Sequence, residues 1–251
     1  DVASATGLPA VQDSLDPLHA DSYGTGVLIA DAETRGATSI VLGLGGTASI
    51  DAGMGILTAL GAATRRVTRP EHLDGLAAVV LPGGESSAMV RLAAGSGLFP
   101  VLAERTAAGL PVFGTCAGLV LLARDVEDAA ALSGFARVPA LDVTVRRNAY
   151  GAQRESFVAP LAVRGLAGDG GAGTVEAVFI RAPQITGTDP GVEVLAEHDG
   201  VPVLVRQGHV MAASFHPELT PDPRIHALFL SAAGVLPATA SEAAPVRTRT
   251  S

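Results

Sequence analysis

Chemistry in this sequence centres on Cys116, the single cysteine, in the run Pro111-Val-Phe-Gly-Thr-Cys116-Ala-Gly-Leu-Val-Leu-Leu-Ala123. A lone Cys in an apolar run ordinarily reads as core. Here Gly114 and Gly118 flank it, with the small Thr115 and Ala117 between, at the point where a short apolar strand must turn into a helix. That pattern is a nucleophile elbow, in which the turn is strained and the sulfur projects. The N–H groups opening the helix favour thiolate over thiol, and the thiolate is the reactive species. A thiolate needs a base to manage protons and a group to hold that base. Ser214-Phe-His216-Pro-Glu218 offers both. If Pro217 keeps this segment extended, residues two apart face the same way, and Glu218 can fix the tautomer and orientation of His216. Read alone, the pair would be a strand-end histidine and a solvated acid. Beside the elbow it completes a Cys, His, Glu set.

Attack of a thiolate on an amide builds a tetrahedral oxyanion that calls for preorganised N–H donors. The N–H of Ala117 is one candidate. The Pro82-Gly83-Gly84-Glu85-Ser86 turn is the other, because glycines let backbone approach a ligand closely. Arg147 and Arg181 end apolar strands in R-R-N-A-Y-G and F-I-R-A-P. Either is an ordinary strand-end charge or the partner of a substrate carboxylate.

The elements that must position these groups alternate. Ala77 to Leu81 predicts a strand, helices follow near Ser87 to Ala94 and Leu98 to Ala108, and then comes the elbow. Such alternation predicts an α/β fold, a mostly parallel sheet flanked by helices, with ligands at the C-terminal ends of the strands. After Asp142 the pattern turns β-rich: Asp142 to Arg147, Phe157 to Val163, Val175 to Ile180, then Val192 to His198 and Val201 to Arg206 joined at Asp199-Gly200. These predict a mixed β extension. A last strand, Val210 to His216, precedes a helix from about Pro223 to Ala233. Upstream, residues 21–37 read as a helix, Ser39 to Leu44 as a buried strand, Gly45 to Ser49 as a structural turn with no Walker lysine, and Asp51 to Leu60 as a helix. Leu236 to Ser251, rich in Ala, Thr, Ser and Pro, reads as a disordered tail.

The chain has 251 residues, 48% of them hydrophobic, enough for a sizeable core. Seventeen Lys and Arg against 25 Asp and Glu leave a net charge of −8. With no basic cluster, nucleic acid and anionic membrane are not expected partners. One cysteine excludes an internal disulfide and a multi-cysteine metal site, which suits a reducing cytoplasm. Neither a signal-peptide pattern nor an apolar run of about 18 residues is present, so export and membrane insertion are not expected. The sequence opens on Asp1 rather than Met, which leaves room for an upstream piece.

Taken together, P-G-G-E-S, P-V-F-G-T-C-A-G, V-R-R-N-A-Y-G-A-Q-R-E-S-F, F-I-R-A-P, V-R-Q-G-H and S-F-H-P-E-L-T resemble the glutaminase subunit of the two-protein pyridoxal 5'-phosphate synthase, from about Arg65 to Gly234. That is a triad-type, class I glutamine amidotransferase, and the resemblance implies its three-layer α/β fold. It also implies hydrolysis of L-glutamine to glutamate and ammonia through a cysteine thioester. The ammonia would pass through a channel to a partner synthase subunit, which condenses it with a pentose phosphate and a triose phosphate for vitamin B6. Carried over residue by residue, Cys116 is the nucleophile, His216 the general base and acid, and Glu218 its orienting partner. Gly84, Glu85, Ser86, Arg147, Ile180 and Arg181 match glutamine-binding positions, beside the oxyanion hole read above at Gly83, Gly84 and Ala117. No cofactor or metal is implied.

The opening of the chain departs from that pattern. Residues 1–62, with Asp16-Pro-Leu, Ser22-Tyr-Gly-Thr-Gly26 and Gly43 to Gly53, resemble a fragment of the bacterial glycerate kinase family. Where that family reads S-A-T-N-D-G-G, this chain has Thr47-Ala-Ser-Ile-Asp-Ala-Gly53. The expected organisation is therefore a glycerate-kinase-like segment over 1–62, an amidotransferase domain over 63–234 and a tail over 235–251. The first segment would stand in for the family's first β-α unit, with Ser39 to Leu44 entering the sheet. Gly45 or Gly46 occupies the place where the family carries a loop glutamine at the synthase interface. A rival reading is a catalytically dormant fusion remnant, and a third is a glycerate-kinase-like binding module.

Overall fold

A computed structural model describes residues 63–147, 156–166, 171–220 and 222–235. The expected elements upstream of residue 63, including the strand at Ser39 to Leu44, and the tail from Leu236 lie outside the described residues, as does most of R-N-A-Y-G-A-Q-R-E.

The central sheet has five strands. β1 (Val79–Leu81), β2 (Val112–Thr115) and β10 (Val210–Ala213) run parallel, and β9 (Val201–Gln207) and β8 (Glu193–His198) continue antiparallel, in the order β1-β2-β10-β9-β8. A three-stranded sheet joins β3 (Ala123–Val126) in parallel to β4 (Leu141–Arg146), and β4 in antiparallel to β7 (Gln184–Thr188). β5 (Phe157–Arg164) and β6 (Ala172–Phe179) form an antiparallel ribbon. The parallel core is the expected α/β part, and the strands after Asp142 form the expected mixed extension. Asp199 and Gly200, both at positive φ, make the tight turn between β8 and β9.

Alternation along the central strands divides the core in two. Val79, Leu81, Val112, Val210 and Ala212 face one side, packing with α1 (Ser86–Ala94), α2 (Leu98–Ala107), α3 (Ala117–Leu122) and the β3–β4 strands. Phe113, Met211 and Ala213 face the other, packing with the β5–β6 ribbon and α4 (Arg224–Ala232). A strand buried on both faces reads as a continuous apolar run, which is why β2 was legible in sequence.

Two strands were not. Ala123–Val126 continues directly from α3, and its residues carry no alternation that distinguishes them from the helix. Gln184–Thr188 has one buried apolar residue, Ile185. Both exist because β4 pairs with them, a tertiary cause. The last strand also stops at Ala213 instead of His216, and Pro217–Leu219 forms a 3-10 turn.

The V-R-Q-G-H motif ties the layers together. Gln207 accepts from the N–H of Asp142 at 2.8 Å and donates to its carboxylate at 2.7 Å, joining the central sheet to β4. His209 donates from Nε2 to the Thr106 carbonyl at 2.7 Å, capping the last turn of α2.

α3 is buried over all six residues, and it lies against β1 with no room for a side chain between them. A Cβ added at Gly118 would stand 2.2 Å from the Leu81 carbonyl oxygen, which is backbone and cannot swing aside. Gly118→Ala is therefore expected to lower stability by about 1–3 kcal/mol, checked as a shift of the urea unfolding midpoint.

Candidate active site

The site is built where β1 and β2 end, at the carboxyl edge of the parallel strands. β2 delivers Cys116 in a conformation that non-glycine residues seldom adopt, φ 48° and ψ −102°. Such strain persists only where the surroundings over-determine it. Here the N–H of Cys116 donates to the Ala213 carbonyl of β10 at 2.8 Å, and its own carbonyl accepts from Val120 at 3.4 Å. Gly114 and Gly118 lie so close that a Cβ on Gly114 would meet the Gly118 carbonyl carbon at 2.6 Å. The thiol is buried, and Sγ lies 4.0 Å from the Ile180 carbonyl, so F-I-R-A-P does reach the sulfur. Arg181 follows at φ 44°, a second strained non-glycine residue at the same place.

His216 is brought to the sulfur from the other side of the strand edge. Its N–H donates to the Val178 carbonyl at 2.9 Å, which anchors it to β6. Nδ1 donates to Glu218 Oε1 at 2.8 Å, leaving Nε2 for the sulfur. The expectation of an extended segment needs correcting. Pro217 opens a 3-10 turn, and this turn, not strand alternation, folds the Glu218 carboxylate back onto the ring. The pairing expected from sequence survives because a single tight turn also brings residues two apart together.

Burial opposes a charge on His216 more strongly than any other influence. Hydrogen bonds to Cys116 and Glu218, and the charge of each, together outweigh it and push the pKa from 6.5 up to about 10. At neutral pH the ring is an imidazolium, ready to give a proton to a leaving amine.

The P-G-G-E-S turn closes over this pair. Gly83 sits against the ring: a Cβ there would fall 2.4 Å from Cε1 and 2.9 Å from Nδ1 of His216. Gly84 takes φ 137°, a region open to glycine, so the turn can present backbone N–H groups at the sulfur's edge. Ala117 opens α3, and its N–H is among those a helix leaves without an internal partner. Glu85 caps α1, accepting from the N–H groups of Ser87 at 3.2 Å and Ala88 at 2.7 Å. Its carboxyl is held below the usual range, chiefly by the Ser87 hydroxyl and, against some burial, by those N–H groups and Arg147. Arg147 reaches from the end of β4 to pair with Glu85 at 3.0 Å, its side chain largely buried. Ser86 is buried beneath the turn. The expected site residues thus come from five segments of the chain, at the ends of the strands Val79–Leu81, Val112–Thr115, Leu141–Arg146, Ala172–Phe179 and Val210–Ala213. One contributor went unread: Asp128 accepts from the Arg147 backbone N–H at 3.0 Å.

Among the described residues no group of three or more His, Cys, Asp or Glu side chains is arranged to hold a metal ion.

Residues 41–234 match the model of the SNO glutamine amidotransferase family. The match begins within residues 1–62, the segment expected to be glycerate-kinase-like. A pyridoxal 5'-phosphate synthase subunit PdxT from Ignicoccus hospitalis is 51% identical over 170 residues, 66% of this chain and 82% of that protein. A protein of the same name from Streptomyces griseus is 48% identical, covering 69% of this chain and 85% of its own length. A crystal structure of a glutamine amidotransferase superposes with a TM-score of 0.65 at 46% identity, over 71% of this chain and 90% of that one.

Two outcomes follow from the geometry. Gly83→Ala forces the His216 ring away from its partners, and a displacement of about 1 Å at a catalytic group costs up to about a hundredfold; alkylation of Cys116 by iodoacetamide is expected to slow accordingly. The folded pKa of His216 lies above its unfolded value, so its stabilisation is complete below pH 6.5 and is lost as pH rises toward about 10. Denaturant unfolding across that window is expected to show stability falling in the native chain, with a flatter profile in Glu218→Gln.

Proposed function

The chain belongs to the SNO glutamine amidotransferase family, and from that premise we propose that Cys116, His216 and Glu218 hydrolyse the side-chain amide of L-glutamine, supplying ammonia to a synthase subunit that makes pyridoxal 5'-phosphate. The observation that carries this reading is the strained Cys116, buried beside an imidazole that Glu218 holds at 2.8 Å. Relatives about half identical to this chain bear the name of a pyridoxal 5'-phosphate synthase subunit, which supports the destination of the ammonia.

The steps are as follows. Cys116 Sγ attacks the amide carbon, forming a C–S bond and an oxyanion. N–H groups of the Gly83-Gly84 turn and of Ala117 receive that charge, each donor worth about 3 to 4 kcal/mol in the transition state. His216 gives its proton to the amide nitrogen, the C–N bond breaks and ammonia leaves a thioester. His216, now neutral, takes a proton from water, whose oxygen attacks the thioester; the C–S bond breaks and glutamate departs. Glu218 keeps the imidazole in one tautomer throughout. Gly84, Glu85, Ser86, Arg147, Ile180 and Arg181 surround the amino acid, and the position of Glu85 and Arg147 beside Gly83 supports that assignment.

The amidotransferase domain spans 63–234. Residues 1–62, similar to a glycerate kinase fragment, take the place of the first β-α unit, a reading supported by the family match beginning at residue 41. Residues 235–251 are a tail. The working enzyme is a cytoplasmic hetero-oligomer with the synthase subunit. Among the described residues no single helix is long and apolar enough to cross a membrane. The dormant-remnant and glycerate-binding readings have less support, since the strained Cys116 and the His216–Glu218 pair favour a working site.

Release of ammonia and glutamate, measured with and without the cognate synthase subunit, tests this. The native chain is expected to be active with its partner and Cys116→Ala to lose at least about a thousandfold. No release even with the partner would return the dormant reading.

A further inference from the structure

We propose that His226 is a positioning residue behind Glu218, a fourth group in line with Cys116, His216 and Glu218. The proposal rests on the reading of those three as nucleophile, proton carrier and orienting carboxylate.

Glu218 uses only one of its oxygens on the ring. Oε1 accepts from His216, while Oε2 is buried without a hydrogen-bond partner. Among the described residues only Thr115 Oγ1 and His226 Nε2 share that condition. A buried carboxylate oxygen left without a donor is costly, and a buried ring nitrogen without a partner is costly too. One is an acceptor in need of a donor. The other can be that donor.

Their placement supports the pairing. His226 stands on the first turns of α4 at 5% exposure, its ring edge-on to Phe113 of β2 with centroids 6.0 Å apart. The start of α4 is pinned: Asp222 accepts from the Arg224 backbone and side chain, and Arg224 also donates to the Thr174 carbonyl of β6 at 2.7 Å. Asp222 and Arg224 thereby neutralise each other. Glu218 is the charged group that His226 feels. Burial holds the ring neutral in spite of that attraction. A neutral imidazole has one N–H, and with the proton on Nε2 its hydrogen bond reaches Glu218 Oε2 through one bridging water. Both oxygens of Glu218 are then engaged, the carboxylate cannot rotate, and the His216 ring stays against Sγ.

The test uses full-length chains with three substitutions. His226→Gln places an amide N–H near the Nε2 position; His226→Asn and His226→Met do not. Each is measured for Cys116 alkylation by iodoacetamide, which needs no turnover, and for glutamine hydrolysis with the synthase subunit, alongside the thermal midpoint. The expected result is a fall of about tenfold in alkylation and kcat with KM unchanged for His226→Asn and His226→Met, since a hydrogen bond to a charged group is worth about that much. His226→Gln is expected within about twofold of the native chain. Equal rates in all three variants, or losses that follow the thermal midpoint alone, would overturn the proposal. Should His226→Met fail to fold, the Gln and Asn variants decide it. A native chain that alkylates quickly but releases no ammonia would count against the glutaminase reading, while the alkylation series still judges His226.

Discussion

The site depends on how closely α3 approaches β1. Gly118 lets the helix touch the Leu81 carbonyl, and Gly114 lets β2 lie under the same helix. With the helix that near, the chain has no relaxed way to leave β2, and Cys116 must take φ 48°. The sulfur then projects from the sheet edge where the Gly83 turn, Ile180 and His216 converge. Interiors are packed too densely to absorb even one extra carbon there, so the strain is stored in place and not relieved by a shift.

Around that constraint the fold is a set of supports. The parallel strands bring two loops, P-G-G-E-S and G-T-C-A-G, to one edge. The β5–β6 ribbon, remote in sequence from the elbow, supplies the Val178 carbonyl that anchors His216 and leads into Ile180 above the sulfur. The 3-10 turn at Pro217–Leu219 folds Glu218 back on the ring. Each support is backbone, which explains why glycines and a proline mark the site as clearly as its reactive groups do.

Electrostatics at the site follow from burial and contact acting against each other. Burial alone would strip His216 of its proton; two partners close by keep it charged. His226, more deeply buried and with only Glu218 to attract it, is pushed toward the neutral form. The two histidines are thus pushed in opposite directions from the usual imidazole range.

The residue types and spacings of the chain were enough to single out Cys116, His216, Glu218 and the glycine turn as neighbours at a strand edge, and to read the alternation of strand and helix. These are local properties: an elbow needs small neighbours, a buried strand needs an apolar run, and both are written within a few residues. Tertiary structure alone decided the rest. β3 and β7 are strands because β4 pairs with them, His216 meets Glu218 through a turn instead of an extended segment, and Asp128 holds Arg147 from 19 residues away in the chain. His226 belonged to the same class: on sequence it is one more residue of an amphipathic helix, and only the packing of α4 across Phe113 brings it into the field of Glu218. Contacts between distant segments depend on how elements pack, and packing leaves no periodic trace in the residues that make them.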